Sequence, residues 1–182
     1  PIYSDKLCYV VDSSASMKGD RIASLKPNLT ESIERCASFV SYSIVDFGGD
    51  VEAMYGRSLT TNKGVGKQRV YDMDMSVATR SFCALRQGAR IDKVDTLYFL
   101  SDGAPAMDSM KKWSDIIQGM LMLSRYRQVA IFCIDFDPSA GNMASMIQLA
   151  DENVGLHESI EVGPAGDDID LGGAAKKKKK KK

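Results

Sequence analysis

Two short stretches carry oxygen-bearing side chains at spacings that could do chemistry: Asp12-Ser13-Ser14-Ala15-Ser16 and Ser101-Asp102-Gly103. Each follows an apolar run, residues 7–11 (LCYVV) in the first case and residues 94–100 (VDTLYFL) in the second. Alternate side chains of an extended segment share a face, so Asp12, Ser14 and Ser16 can aim at one point. If the two apolar runs are neighbouring parallel strands, their carboxyl ends share an edge and Asp102 converges on that point. Two close carboxylates repel unless positive charge lies between them. A donor set made only of oxygens suits a hard divalent cation, Mg²⁺, Mn²⁺ or Ca²⁺. The plainer alternative is a turn followed by a helix N-cap, where Asp and Ser are favoured as acceptors of backbone hydrogen bonds.

Periodicity indicates the elements that would position these groups. Residues 7–11 are continuously apolar and β-branched at Val10 and Val11, which suits a strand covered on both faces. Ile22, Leu25, Leu29, Ile33, Cys36 and Val40 recur every three or four residues, the stripe of an amphipathic helix that Pro27 kinks or delays. Residues 42–47 (YSIVDF) and 51–55 predict two strands joined by Gly48-Gly49-Asp50, an antiparallel hairpin. Residues 56–75 are polar, with Gly64 and Gly66, and predict a long connection containing a short helix. A helix over residues 80–89 and the strand 94–100 follow. Next comes a helix whose apolar face is Met110, Trp113, Ile116, Ile117, Met120 and Leu121. Residues 129–134 (VAIFCI) predict a strand, 139–152 a helix with Met143, Met146, Ile147 and Ala150 inward, and 156–162 a last strand. This alternation predicts an α/β fold: a doubly wound, mostly parallel central sheet with one antiparallel edge strand and helices on both faces, Rossmann-like in layout. Ligands of such sheets bind beyond the carboxyl ends of the strands, where Asp12 and Asp102 fall.

The 182 residues, 44% of them apolar, suffice for one domain with a full core, and no run approaches the length that spans a bilayer. No charged-then-apolar leader precedes the first strand, so any targeting segment is expected to be absent or already trimmed off. Equal numbers of basic and acidic residues, 24 each, conceal a split, because residues 176–182 are all lysine and the remaining 17 basic residues face 24 acidic ones. An acidic body argues against nucleic-acid binding by the fold, which needs a basic face. Residues 164–182 are expected to form a flexible linker and poly-Lys tail, either an inert end or a dock for an acidic surface. Cys8, Cys36, Cys83 and Cys133 lie far apart without a CxxC pair and are expected as buried free thiols. That favours a reducing compartment such as the cytoplasm, with an extracellular or membrane-anchored parent protein still compatible. Asn28-Leu29-Thr30 is a glycosylation sequon of a kind that arises often by chance. Asp135 and Asp137 follow another strand, but turn chemistry around Pro138 explains them equally well. The single histidine, His157, has no partner in its own motif and is expected to be structural, and the methionines of the helix faces are expected as core filler.

Across residues 7–162 the order of elements and motifs resembles the von Willebrand factor type A domain, in its bacterial-type form with a metal-ion-dependent adhesion site. That site begins with Asp-x-Ser-x-Ser after the first strand, here Asp12-Ser13-Ser14-Ala15-Ser16, with Met17 following as is common in the family. Its second element is a Thr ahead of the helix after the long loop, matched by Thr79 in Thr79-Arg80-Ser81-Phe82-Cys83-Ala84-Leu85; its third is Asp-Gly at a strand end, matched by Asp102-Gly103. Residues 146–153 resemble the last helix of bacterial members. The chain departs from the pattern at Val77-Ala78, where many members have two glycines. The resemblance implies a domain over residues 1–163 and metal ligands Asp12, Ser14, Ser16, Thr79 and Asp102. It also implies Mg²⁺, or Mn²⁺ or Ca²⁺, and a protein partner whose Asp or Glu carboxylate completes the coordination. Specificity is expected from the loops 17–20 and 104–108. Thr79 remains open to the reading of a plain helix N-cap. At the level of function, the alternatives are a metal-free structural scaffold and a Mg²⁺-dependent phosphohydrolase, whose Asp nucleophile also ends an apolar strand. Such enzymes usually carry a second Asp two residues on, where this chain has Ser14, so an enzyme is not expected.

Overall fold

The computed structural model describes residues 4–102, 105, 108–136 and 141–160. The poly-Lys tail, Gly103, Asp137 and Pro138 lie outside the described residues. The elements in chain order are β1 (Lys6–Asp12), a 3₁₀ turn (Ala15–Met17), α1 (Asp20–Arg35), β2 (Ser41–Phe47), β3 (Val51–Ala53), α2 (Lys63–Tyr71), α3 (Ser81–Ala89), β4 (Thr96–Ser101), α4 (Trp113–Arg127), β5 (Ala130–Asp135), α5 (Met143–Glu152) and β6 (His157–Ser159).

The strands form one sheet in the order β3-β2-β1-β4-β5-β6. All neighbouring pairs are parallel except β2 with β3, which closes one edge as the expected antiparallel hairpin. From β1 the chain winds first to β2 on one side and later to β4 on the other, so the winding reverses at β1 and β4. Sheets wound in this way bind their ligands there, beyond the strands' carboxyl ends. Val11 of β1 pairs with Leu100 of β4, and this register brings Asp12 and Ser101-Asp102 out of the sheet side by side.

Alternation along the strands supplies the two cores. Cys8, Val10, Val45, Phe47, Leu97, Phe99, Ile131 and Cys133 face α3, α4 and α5, while Leu7, Tyr9, Val11, Tyr42 and Ile44 face α1 and α2. β1 lies between both layers, which is why its sequence reads as unbroken apolar residues. Leu25, Leu29 and Ile33 of α1 are fully buried, each such side chain contributing about 1.5–3 kcal/mol relative to exposure.

Several boundaries differ from the periodicity. α1 stops at Arg35, with Cys36 as its C-cap, and Val40 lies in the connection to β2; both residues are buried, which extended the apparent stripe past the helix end. Pro27 sits inside α1 on its exposed side. β3 ends at Ala53 because the chain turns at residues 54–57. In α5 the buried residues are Met146, Leu149 and Ala150, whereas Met143 opens the helix at the rim and is exposed. All four cysteines are free; Cys8, Cys36 and Cys133 are buried and Cys83 is half-buried. The sequon asparagine lies within α1, its amide bonded to Ser24 O. Among the described residues no helix is long and apolar enough to cross a membrane.

Candidate functional site

The loop after β1 is held by backbone contacts on two sides. Ser13 N donates to Phe47 O (3.1 Å), and Ser13 O accepts from Ser76 N (2.9 Å). The second strand's turn closes over this loop at Gly48, where a Cβ would lie 2.4 Å from Ser13 O; only glycine permits that approach. Ala78 N in turn donates to Gly48 O (2.7 Å), so the segment leading to Thr79 runs alongside the loop. Beneath it, Met17 is completely buried and anchors the 3₁₀ turn in the core. Of the loop expected at residues 17–20, Met17 thus faces the core, while residues 18–20 are exposed.

Four of the expected residues are joined in one polar chain. Asp12 Oδ1 accepts from Ser14 N (2.9 Å) and Asp12 Oδ2 from Ser101 Oγ (2.5 Å). The Ser14 and Ser16 hydroxyls are 2.8 Å apart, and Ser16 Oγ donates to Asp102 Oδ1 at 2.8 Å. A hydroxyl has one hydrogen, so the bond to Asp102 leaves Ser14 as the donor to Ser16. The Arg21 guanidinium completes the chain, donating to Asp102 Oδ2 (2.7 Å) and to Ser16 O (2.6 Å). Asp12 is 0% exposed, Ser14 and Asp102 2%, while Ser16 is open to solvent. The group is thus a chain of oxygens at the carboxyl ends of β1 and β4, with Ser16 facing solvent.

Burial pushes the Asp12 carboxyl up to about 6, and repulsion from Asp102 adds to the rise, while the hydrogen bonds from Ser101 and Ser14 oppose it. A carboxylate so placed gains from any positive charge brought beside it.

Thr79 is also buried, in the segment beside Ser13 and Gly48, but among the described residues none of these hydrogen bonds reaches it. It does not cap α3 either: the N-cap position is Arg80, and the helix amides of Phe82 and Cys83 donate to Asp108 Oδ2 (2.7 and 3.2 Å). Asp108, taken from the sequence only as part of a specificity loop, is therefore a buried cap supplied from a distant segment. Its bonds from Cys83 and Ser109 outweigh burial and hold its carboxyl below the usual range.

Sequence reasoning missed three contributors. Ser101 was read only as part of a strand end, although its hydroxyl binds Asp12. Arg21 left a faint signal, a cation in the first turn of a helix, where the helix dipole disfavours it. Gly48 read as a simple turn residue. Asp135 is buried beside Ser101 in register, and His157 lies half-buried in β6. Among the described residues, no three or more His, Cys, Asp or Glu side chains form a group that could hold a metal ion. Any metal here would depend on the two carboxylates together with hydroxyl oxygens.

No family model matches the chain, and no curated protein matches it in sequence. Solved structures do match it in shape. A von Willebrand factor type A protein from Catenulispora acidiphila superposes with a TM-score of 0.73 at 16% identity, over 87% of this chain and 39% of that one. The von Willebrand factor domain of a type V pili tip protein from Porphyromonas gingivalis gives 0.64 at 10% identity, over 85% of this chain and 89% of that one. Proximal thread matrix protein 1 from the mussel byssus, described with a zinc-occupied metal-ion-dependent adhesion site motif, gives 0.63 at 14% identity, over 85% of this chain and 41% of that one. The chain thus spans about two fifths of the first and third of these proteins. Its fold is that of a von Willebrand factor type A domain.

Proposed function

We propose that this domain is a protein-interaction module that binds a divalent cation at Asp12, Ser14, Ser16, Thr79 and Asp102 and through it captures an Asp or Glu carboxylate of a partner protein. The observation that carries the proposal is the linking of Asp12 and Asp102, both buried, through the Ser14 amide and the Ser14 and Ser16 hydroxyls at the carboxyl ends of β1 and β4. The donor set fits the group: oxygen only, two formal negative charges, and one side open to water. It favours Mg²⁺ or Mn²⁺, which keep waters in their coordination shell, over metals that prefer nitrogen or sulfur. Asp12 and Asp102 supply the charge, the serine hydroxyls supply neutral donors, and Ser101 and the Ser14 amide fix the orientation of Asp12. A bound cation would offer an exchangeable position to an incoming carboxylate. The zinc-bearing motif of the mussel protein, on the same fold, supports the reading. We assign the domain no catalytic role, since Ser14 stands where a phosphohydrolase of the aspartyl type carries its second acid.

The test is capture of partners from a native lysate in Mg²⁺ and in chelator, together with an assay for phosphate release. Partners retained only with metal, without phosphate release, support the reading. Retention that ignores chelator returns the domain to a metal-free scaffold, and metal-dependent phosphate release makes it an enzyme.

A further inference from the structure

Arg21 is the second residue of α1, beside Asp20 in the first turn. Helix N-termini favour anions, so a cation held there needs a specific partner. Its partner is Asp102, 2.7 Å from Nη1, and the same nitrogen also donates to Ser16 O at 2.6 Å. The guanidinium thereby touches both the backbone of the loop after β1, at Ser16, and the carboxylate that follows β4, at Asp102. Both oxygens of Asp102 are engaged, Oδ1 by the Ser16 hydroxyl and Oδ2 by Arg21. Asp102 is nearly inaccessible, whereas the Arg21 side chain is 31% exposed on a flexible stem that can carry the guanidinium into water.

We propose that Arg21 is a tethered competitor for the divalent cation: it neutralises Asp102 in the metal-free protein and sets the metal affinity of the site. The inference rests on the metal-binding reading above. A dication entering beside Asp102 meets a like charge within a few ångströms, and that repulsion grows as water is excluded. Metal and guanidinium are thus alternative counter-ions of one buried carboxylate. Metal binding moves Arg21 off Asp102 toward solvent, and loss of metal lets it return. The arrangement keeps the empty site folded, because Asp102 is never left buried without a positive partner.

The test compares Mn²⁺ binding, read by electron paramagnetic resonance of the free ion, for the parent, Arg21→Gln and Arg57→Gln. Arg57 pairs with Asp92 on the surface and controls for the change in overall charge. Arg21→Gln should bind Mn²⁺ at least fivefold more tightly than the parent, the lower end of typical coupling between two ligands, with Arg57→Gln unchanged. Its melting temperature should also rise more on adding Mn²⁺ than the parent's does. Equal or weaker binding by Arg21→Gln, in a parent that binds, overturns the competitor role and leaves the metal site standing. An equal gain in Arg57→Gln overturns it as a general charge effect. Absence of Mn²⁺ binding in all three proteins overturns the metal reading itself, and the inference with it.

Discussion

Ser16 Oγ donates to Asp102 Oδ1 at 2.8 Å, tying the loop after β1 to the end of β4 across 86 positions of sequence. This bond closes the polar chain, because Ser16, itself exposed, also touches Ser14. Replacing Ser16 by Ala should cost about 1 kcal/mol of stability in the metal-free protein, the typical net value of one hydrogen bond. It should weaken Mn²⁺ binding markedly, while Ser16→Thr, which keeps the hydroxyl, retains it. Equal metal binding by Ser16→Ala and the parent in a titration would remove Ser16 from the site.

Thr79 and Asp108 divide two roles that the sequence left together. Asp108, not Thr79, receives the amides at the start of α3. Asp108→Ala should therefore lower stability by about 1–2 kcal/mol, the usual cost of losing a cap. Thr79→Ala should change metal-free stability little and reduce Mn²⁺ affinity. A thermal melt and a metal titration on both variants check this; a destabilised Thr79→Ala that binds metal normally would count against Thr79 as a ligand.

The metal-free protein should have an unusual acid profile. Asp12 is raised from 3.8 to about 6 by burial, so between those values the folded state binds more protons than the unfolded state. Stability is then full below about pH 4 on account of this group and falls as pH rises through about 6, a loss near 3 kcal/mol at roughly 1.4 kcal/mol per unit. Denaturant unfolding in chelator, from pH 4 to pH 7, should show this slope in the parent as an excess over Asp12→Asn. Parallel profiles for the two proteins would show that Asp12 is not held in this state.

Much of this arrangement is legible in the sequence, for identifiable reasons. β1 and β4 are buried on both faces, so their apolar runs mark strands and the polar residues after them mark strand ends. The pairing of Asp12 with Asp102 follows from parallel neighbours, as observed. α2 was harder to read because only Gly66 and Val70 of its residues are buried, and Gly66 is small so that Tyr42 can pack against it. Arg21 and Asp108 act through contacts 81 and 25–26 positions away, which no local spacing encodes. Gly48 looks like an ordinary turn glycine until Ser13 O is found against it.

That contact gives a further expectation. Gly48→Ala places a methyl group against the Ser13 backbone and should destabilise by about 1–3 kcal/mol, the range for overpacking a tight site, while displacing the loop that carries Ser14. A melt as high as the parent's would mean that the loop yields without cost.

The central claim is that Asp12 and Asp102 hold a divalent cation, and calorimetric titration of Mn²⁺ into the tailed, folded chain tests it most directly. The account predicts one saturable site in the parent and none in Asp12→Asn or Asp102→Asn, with the parent stabilised by about 2.7 kcal/mol at a hundredfold excess over the dissociation constant. Absence of saturable binding at millimolar Mn²⁺, or binding that survives both substitutions, would contradict it.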